Sequence, residues 1–225
     1  MCFSASASFG AGTLLSVIGV AAIRKTHHPS QLMFAGITFI FGMQQLSEGM
    51  LWLTLPNPDY VNLHRIFTAI FLFFAQILWP VWVPVAILLL EKKSTRKTIQ
   101  KVFAGAGLLT GGYLGYCLLT YPVEARIEGH HISYFLDYPA PLSDLSMILY
   151  GLATVVPPFF SHIKRMWMIG VIFILAYVAA DFFFEQYVLS VWCFFAAIIS
   201  AFIYAIMVEI SNTEKQRLQS VVVTR

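Results

Sequence analysis

The sequence predicts an all-α, polytopic membrane protein, a bundle of seven transmembrane helices with its amino terminus outside and its carboxyl terminus in the cytoplasm. Three observations carry that expectation. The 225 residues are 59% hydrophobic and only 11% charged, so little surface is left for water. Most of the apolar stretches have the roughly 20 residues that a helix needs to cross about 30 Å of hydrocarbon. Of the 14 Lys and Arg residues, all but Arg65 and Arg126 fall in alternate connections, which the positive-inside rule assigns to the cytoplasm.

The first stretch, Ser8 to Ile23, carries its positive flank, Arg24 and Lys25, after the apolar run rather than before it. It therefore reads as an uncleaved outside-to-inside helix, not a signal peptide. Gln31 to Leu55 returns outward. His64 to Leu90 contains Pro80 and Pro84 on one face, and the two missing N–H groups predict a kink. Lys92, Lys93, Arg96, Lys97 and Lys101 then mark the cytoplasmic side. Ile99 to Tyr121 carries Gly107, Gly111 and Gly115 at four-residue spacing, a flat face for a close neighbour within the chain or in a homo-oligomer. In the loop 122–141, two β-prone runs flank Gly129 between Arg126 and Tyr134, which predicts a small hairpin cap.

Leu142 to Ser161 is terminated or bent at Pro157-Pro158, and Lys164 and Arg165 open the stretch ending at Phe184. Tyr187 to Ile210 leads into a polar tail, 211–225, expected to fray and holding Lys215, Arg217 and Arg225. Residues 1–210 thus form one membrane domain. Trp52, Tyr60, Tyr121, Tyr134, Tyr138, Trp167, Tyr187 and Trp192 fall near the expected interfaces, as headgroup anchors do. The basic balance is topological and implies the bilayer of a bacterial inner membrane as partner, with no nucleic acid.

Sorted by expected depth, the polar residues within the membrane gather on the outer side. Gln44, Gln45 and Glu48 share a helix face through three- and four-residue spacing. Ionisable groups inside membrane helices are costly and usually face the bundle interior, which makes Glu48 the leading candidate for function. His64, Asp144, Asp181, Glu185 and Cys193 stand at the same level. His, carboxylate and thiolate are ordinary zinc ligands, so Glu48, His64, Asp144, Glu185 and Cys193 form a candidate set for a divalent metal such as zinc. Glu48, Asp181 and Cys2 are the candidate catalytic groups, and Gln44, Gln45, Trp52 and Trp192 the candidate substrate contacts. Against each stands a structural role: helix clasp for Glu48, amino-end capping for Asp144, wetted helix ends for Asp181 and Glu185. No compact motif such as His-Glu-x-x-His ties the set together.

Cys2, Cys117 and Cys193 all map to the outer half. A disulfide between Cys2 and Cys193 is one reading; small apolar packing of Cys117 and Cys193 is the other. Removal of Met1 would leave Cys2 with both an amine and a thiol.

The opening Met-Cys-Phe-Ser-Ala-Ser-Ala-Ser-Phe-Gly, the stretch Gln44 to Leu53 and the stretch Val191 to Ala197 together resemble a bacterial family of small integral membrane proteins of unknown function. That resemblance spans nearly the whole chain, implies no activity, and puts Cys2, Gln45, Glu48, Trp192 and Cys193 inside the family-like stretches. A weaker likeness is to the seven-helix alkaline ceramidases and adiponectin receptors, whose zinc site hydrolyses lipid amides. The chain departs from that pattern where it counts, because no histidine follows His162. A retinal pigment is excluded, since the last helix has no lysine.

The leading expectation is a metal-dependent enzyme acting on a lipid-like substrate from a polar pocket at the outer end. The alternative is a non-enzymatic protein, either a sensor or permease binding a small ligand or cation there, or a purely structural bundle. The inner helix halves are almost free of charge, which counts against an ion pathway through the bundle.

Overall fold

The computed structural model describes residues 4–139, 143–184 and 188–223, with backbone alone at 143–144, 180–184, 188–194 and 217–223. Within these residues the chain forms seven helical rods. They are α1 (Ala5–Ile23), α2 (Leu32–Thr54), a rod made of α3 (Val61–Leu72), a π-helical segment (Phe73–Leu78) and α4 (Trp79–Leu90), then α5 (Ser94–Thr120), α6 (Ser143–Thr154), α7 (Met166–Phe184) and α8 (Val188–Val223). Four described stretches are long and apolar enough to cross a membrane: Ala5–Ile23, Pro58–Leu90, Ser94–Thr120 and Phe195–Gln216. The chain therefore has the make-up of a membrane protein. The 12 residues of α6 fall short of the roughly 20 that a span needs. α2 is long enough at 23 residues, and the polar trio Gln44, Gln45 and Glu48 lowers its apolarity.

Ser4 starts α1 by accepting a hydrogen bond from Ala7 N at 3.2 Å, so the Phe-Ser-Ala opening includes a helix cap. α1 and α2 approach closely. A Cβ on Gly19 would lie 2.5 Å from Phe39 N, and one on Gly12 2.8 Å from Leu46 Cγ. α2 is the central rod, packed against α1, α3, α4 and α8, with 14 of its residues buried. Its inward groups meet Trp79, Val83 and Ile87 of α4 and Ile199, Ile203 and Ile206 of α8 in the main core.

At the proline pair expected to kink the third rod, the helix widens into a π segment just before Pro80. Pro80 and Pro84 cannot donate to the carbonyls of Gln76 and Pro80, and a π turn re-registers the backbone around that loss. Tyr150 supplies a further donor, its hydroxyl lying 2.6 Å from Ala75 O. The Pro80 carbonyl is instead pressed against Gly107 of α5, where a Cβ would overlap it, and Gly111 and Gly115 face Ile77. The Gly107, Gly111, Gly115 face is thus covered by the chain's own third rod.

The segment after α5 forms the antiparallel hairpin of β1 (Val123–Glu128) and β2 (His131–Leu136), in register from Val123↔Leu136 to Glu128↔His131. Gly129 takes φ +62°, which allows a two-residue turn matching the strand twist. Ile132 is fully buried against Leu51, Phe71, Leu72 and Ala75, so the hairpin closes one end of the bundle. Phe71 and Tyr134 stack there with ring centroids 4.7 Å apart.

The other end gathers the basic connections. The segment expected to fray after Ile210 continues α8 to Val223, because extending a formed helix is far easier than nucleating one. Ser211 Oγ lies 2.8 Å from His27 Nε2, and Gln31 donates to Glu214 at 3.2 Å, which docks the extension on the α1–α2 connection. Pro157-Pro158 ends the helical run as expected, opening a 3₁₀ turn after α6.

Candidate functional site

The shared face of Gln44, Gln45 and Glu48 turns into the bundle. Glu48 is 0% exposed, and its Oε2 accepts a 2.6 Å hydrogen bond from Gln45 Nε2. Gln44 Oε1 accepts from Trp79 Nε1 at 2.7 Å, which ties α2 to the first turn of α4. Phe41 packs on the same indole, with centroids 4.2 Å apart. A buried carboxylate flanked by two carboxamides and an indole is a set of donors and acceptors held in low dielectric, where each interaction is stronger than in water.

The π segment carries a separate buried pair nearer the hairpin. Gln76 is 6% exposed, and its Oε1 accepts from Tyr138 OH at 2.8 Å. Burial pushes the Tyr138 phenol up to about 12, with the nearby Cys117 adding to the shift and the Gln76 bond opposing it. Cys117 is a free, buried thiol, in keeping with small apolar packing. Residues Gln76, Trp79, Tyr138 and Tyr150 were not among the sequence candidates. Their convergence depends on a π turn, which no 3.6-residue periodicity encodes; the proline pair was its only signal.

Trp52, one turn beyond Glu48 on α2, has its Nε1 shut from solvent without a hydrogen-bond partner among the described residues, and so does His64 Nδ1 on α3. Such orphaned buried groups are uncommon and call for an explanation. Of the other candidates, Cys2 and Glu185 lie outside the described residues, as do the side chains of Asp144, Asp181, Trp192 and Cys193. Among the described residues no three His, Cys, Asp or Glu side chains come together as a metal site. The pairing of Cys2 with Cys193 likewise falls outside them.

His131, at the start of β2, has its pKa lowered, first by burial and then by the neighbouring His130. It therefore stays neutral to lower pH than a free histidine.

A second polar centre, also missed in the sequence, lies at the basic end. Glu91, 2% exposed, accepts from Ser161 Oγ at 2.6 Å and His162 N at 3.0 Å, and its Oε2 lies 2.8 Å from His162 Nδ1. Arg96 donates to the carbonyls of Phe160 and Ser161, and Gln100 to Pro157 O at 2.9 Å. Every one of these bonds clamps the segment before α7 onto the α4–α5 connection or the first turns of α5, which gives the centre a structural task.

No functionally curated protein and no solved structure matches the chain, so the ceramidase and adiponectin-receptor likeness gains no support. One family model matches residues 1–218, taking in α1, the polar face of α2, the hairpin and nearly all of α8. The chain belongs to the family of unknown function DUF6629.

Proposed function

We propose that this protein is a multi-pass protein of the bacterial inner membrane, with seven spans, an outer amino terminus and a cytoplasmic carboxyl terminus. At its hairpin-covered end it binds a small oxygen-bearing ligand or a cation on the face formed by Gln44, Gln45, Glu48 and Trp52. The observation that carries this reading is the unpartnered indole N–H of Trp52 one turn from the buried Glu48. A buried donor left unsatisfied costs about 1–3 kcal/mol, a cost that a ligand oxygen would remove. Glu48 would then fix the ligand's polar end, with Gln45 holding the carboxylate in place.

His64 Nδ1, also unpartnered, favours a second reading in which a divalent metal sits between His64 and Glu48 and polarises a lipid-like substrate. Cys2, Asp144, Asp181, Glu185 and Cys193 remain the residues that would complete its ligand and catalytic sets.

One experiment separates the readings. The full chain, extracted in mild detergent without chelator, is analysed by native mass spectrometry and elemental analysis beside Glu48→Gln, Trp52→Phe and His64→Ala. The binding reading expects a co-purified species that Trp52→Phe and Glu48→Gln lose while melting within a few degrees of wild type. Near-stoichiometric zinc lost in His64→Ala and Glu48→Gln would favour the metalloenzyme. Wild-type protein carrying neither, with Glu48→Gln and Trp52→Phe melting clearly lower, would reduce the face to a structural clasp.

A further inference from the structure

A groove of about 610 Å³ runs along the outside of α1, lined by Thr13, Ser16, Val17, Val20, Ala21 and, from α2, Leu46. Its volume lies within the about 300–1,000 Å³ typical of small-molecule clefts. The walls are apolar in effect, because Ser16 Oγ is turned back onto Gly12 O at 2.7 Å. One end is closed by Arg24 and Lys25.

Those two cations have no counter-charge in the described protein. Of the three carboxylates at that end, Glu91 is taken by Ser161 and His162, Glu209 by Arg165 at 3.3 Å, and Glu214 by His28 and Gln31. At 1.5 Å per residue, the 12 steps from Thr13 to Lys25 extend about 18 Å. One leaflet is about 15 Å of hydrocarbon, half of the full core. An apolar trough of that length ending in a cation pair has the shape and charge of one acyl chain with a phosphate at its head.

We infer that the α1 groove is a binding site for an anionic phospholipid, an acyl chain lying against Val17 and Val20 and its phosphodiester held by Arg24 and Lys25. This inference rests on the membrane-spanning reading, though not on any role of Glu48. Lipid bound there would cover the tightly packed α1–α2 pair and supply the negative charge that the described residues do not bring to Arg24 and Lys25.

The test uses the full chain in mixed micelles, titrated with phosphatidylglycerol or phosphatidylcholine of the same acyl chains and read by native mass spectrometry. Two cations near a phosphate should favour phosphatidylglycerol on the order of tenfold. Arg24→Gln with Lys25→Gln should abolish the preference. Val17→Trp, at an exposed position that does not threaten folding, should weaken retention of both lipids. Lys92→Gln with Lys93→Gln, which removes two charges from the same end but outside the groove, should leave the preference intact. Equal retention of the two lipids, an equal loss in the Lys92/Lys93 variant, or displacement by glycerol phosphate as readily as by lipid would each overturn the site. Recovery of the chain in the detergent-free soluble fraction would instead overturn the membrane reading beneath it.

Discussion

Burial holds the Tyr138 phenol protonated up to about 12, so its hydroxyl donates to Gln76 Oε1 at any physiological pH. Tyr138→Phe would strand a carboxamide that is only 6% exposed, a change worth about 1–3 kcal/mol of lost stability by denaturant or thermal unfolding. An unchanged unfolding midpoint would show that Gln76 finds another donor. His131 gives a pH signature of its own. Its folded pKa is lowered, so as pH falls below the ordinary histidine value the unfolded chain takes up a proton that the folded hairpin resists. Stability should therefore decline on acidification through pH 6, and His131→Asn should flatten that decline. A wild-type melting temperature as high at pH 5 as at pH 7.5 would exclude it.

Among elements, the contact of α5 with the third rod sets how closely the bundle can close. A Cβ on Gly107 would overlap the Pro80 carbonyl, backbone that cannot swing aside, whereas one on Gly105 meets nothing within 4 Å. Gly107→Ala should cost several-fold more stability than the roughly 1 kcal/mol of an ordinary point change, while Gly105→Ala should be neutral or stabilising by about 0.5–1 kcal/mol through helix propensity. Comparable melting of the two variants would show that the rods are not in contact there. The glycine spacing was visible in the sequence, and its partner was not, because spacing marks a flat face without saying what lies on it. The same limit applies to the site. Gln44, Gln45 and Glu48 could be put on one face by counting residues, and hydropathy marked that face for burial. Trp79 reaches it from just beyond a π turn, and Gln76 meets Tyr138 across a long sequence separation, neither of which residue counting reveals. Gly129 gave the hairpin away because a positive φ is a local demand that glycine meets at little cost. The helical tail escaped notice because its polar composition carries no apolar stripe, and it is held by hydrogen bonds to the α1–α2 connection instead.

For the whole molecule, the hairpin and the basic connections occupy opposite ends, which turns a charge count into a statement about two places. Glu124, Glu128 and Asp137 accompany the hairpin, whose one basic residue, Arg126, lies 2.6 Å from Glu124 Oε2. Lys92, Lys93 and Lys97 are exposed at the other end. If charge sets orientation, the Gly129-His130 turn faces the outside and the Lys92–Lys97 segment the cytoplasm. With Cys2 and Cys193 replaced by Ser, a cysteine placed at His130, exposed at the turn tip, should react with a membrane-impermeant maleimide in intact cells. One placed at Lys97 should react only after the membrane is opened. Buried Cys117 should stay silent in both. The reverse pattern would invert the orientation and move Glu48 to the cytoplasmic side of the bilayer. Reaction of both sites in intact cells would mean that the intervening rod does not separate them by a membrane at all, because α5 is the single long helix between the basic segment and the hairpin. The labelling thus tests that one span directly, and with it the side from which any ligand of Glu48 must arrive.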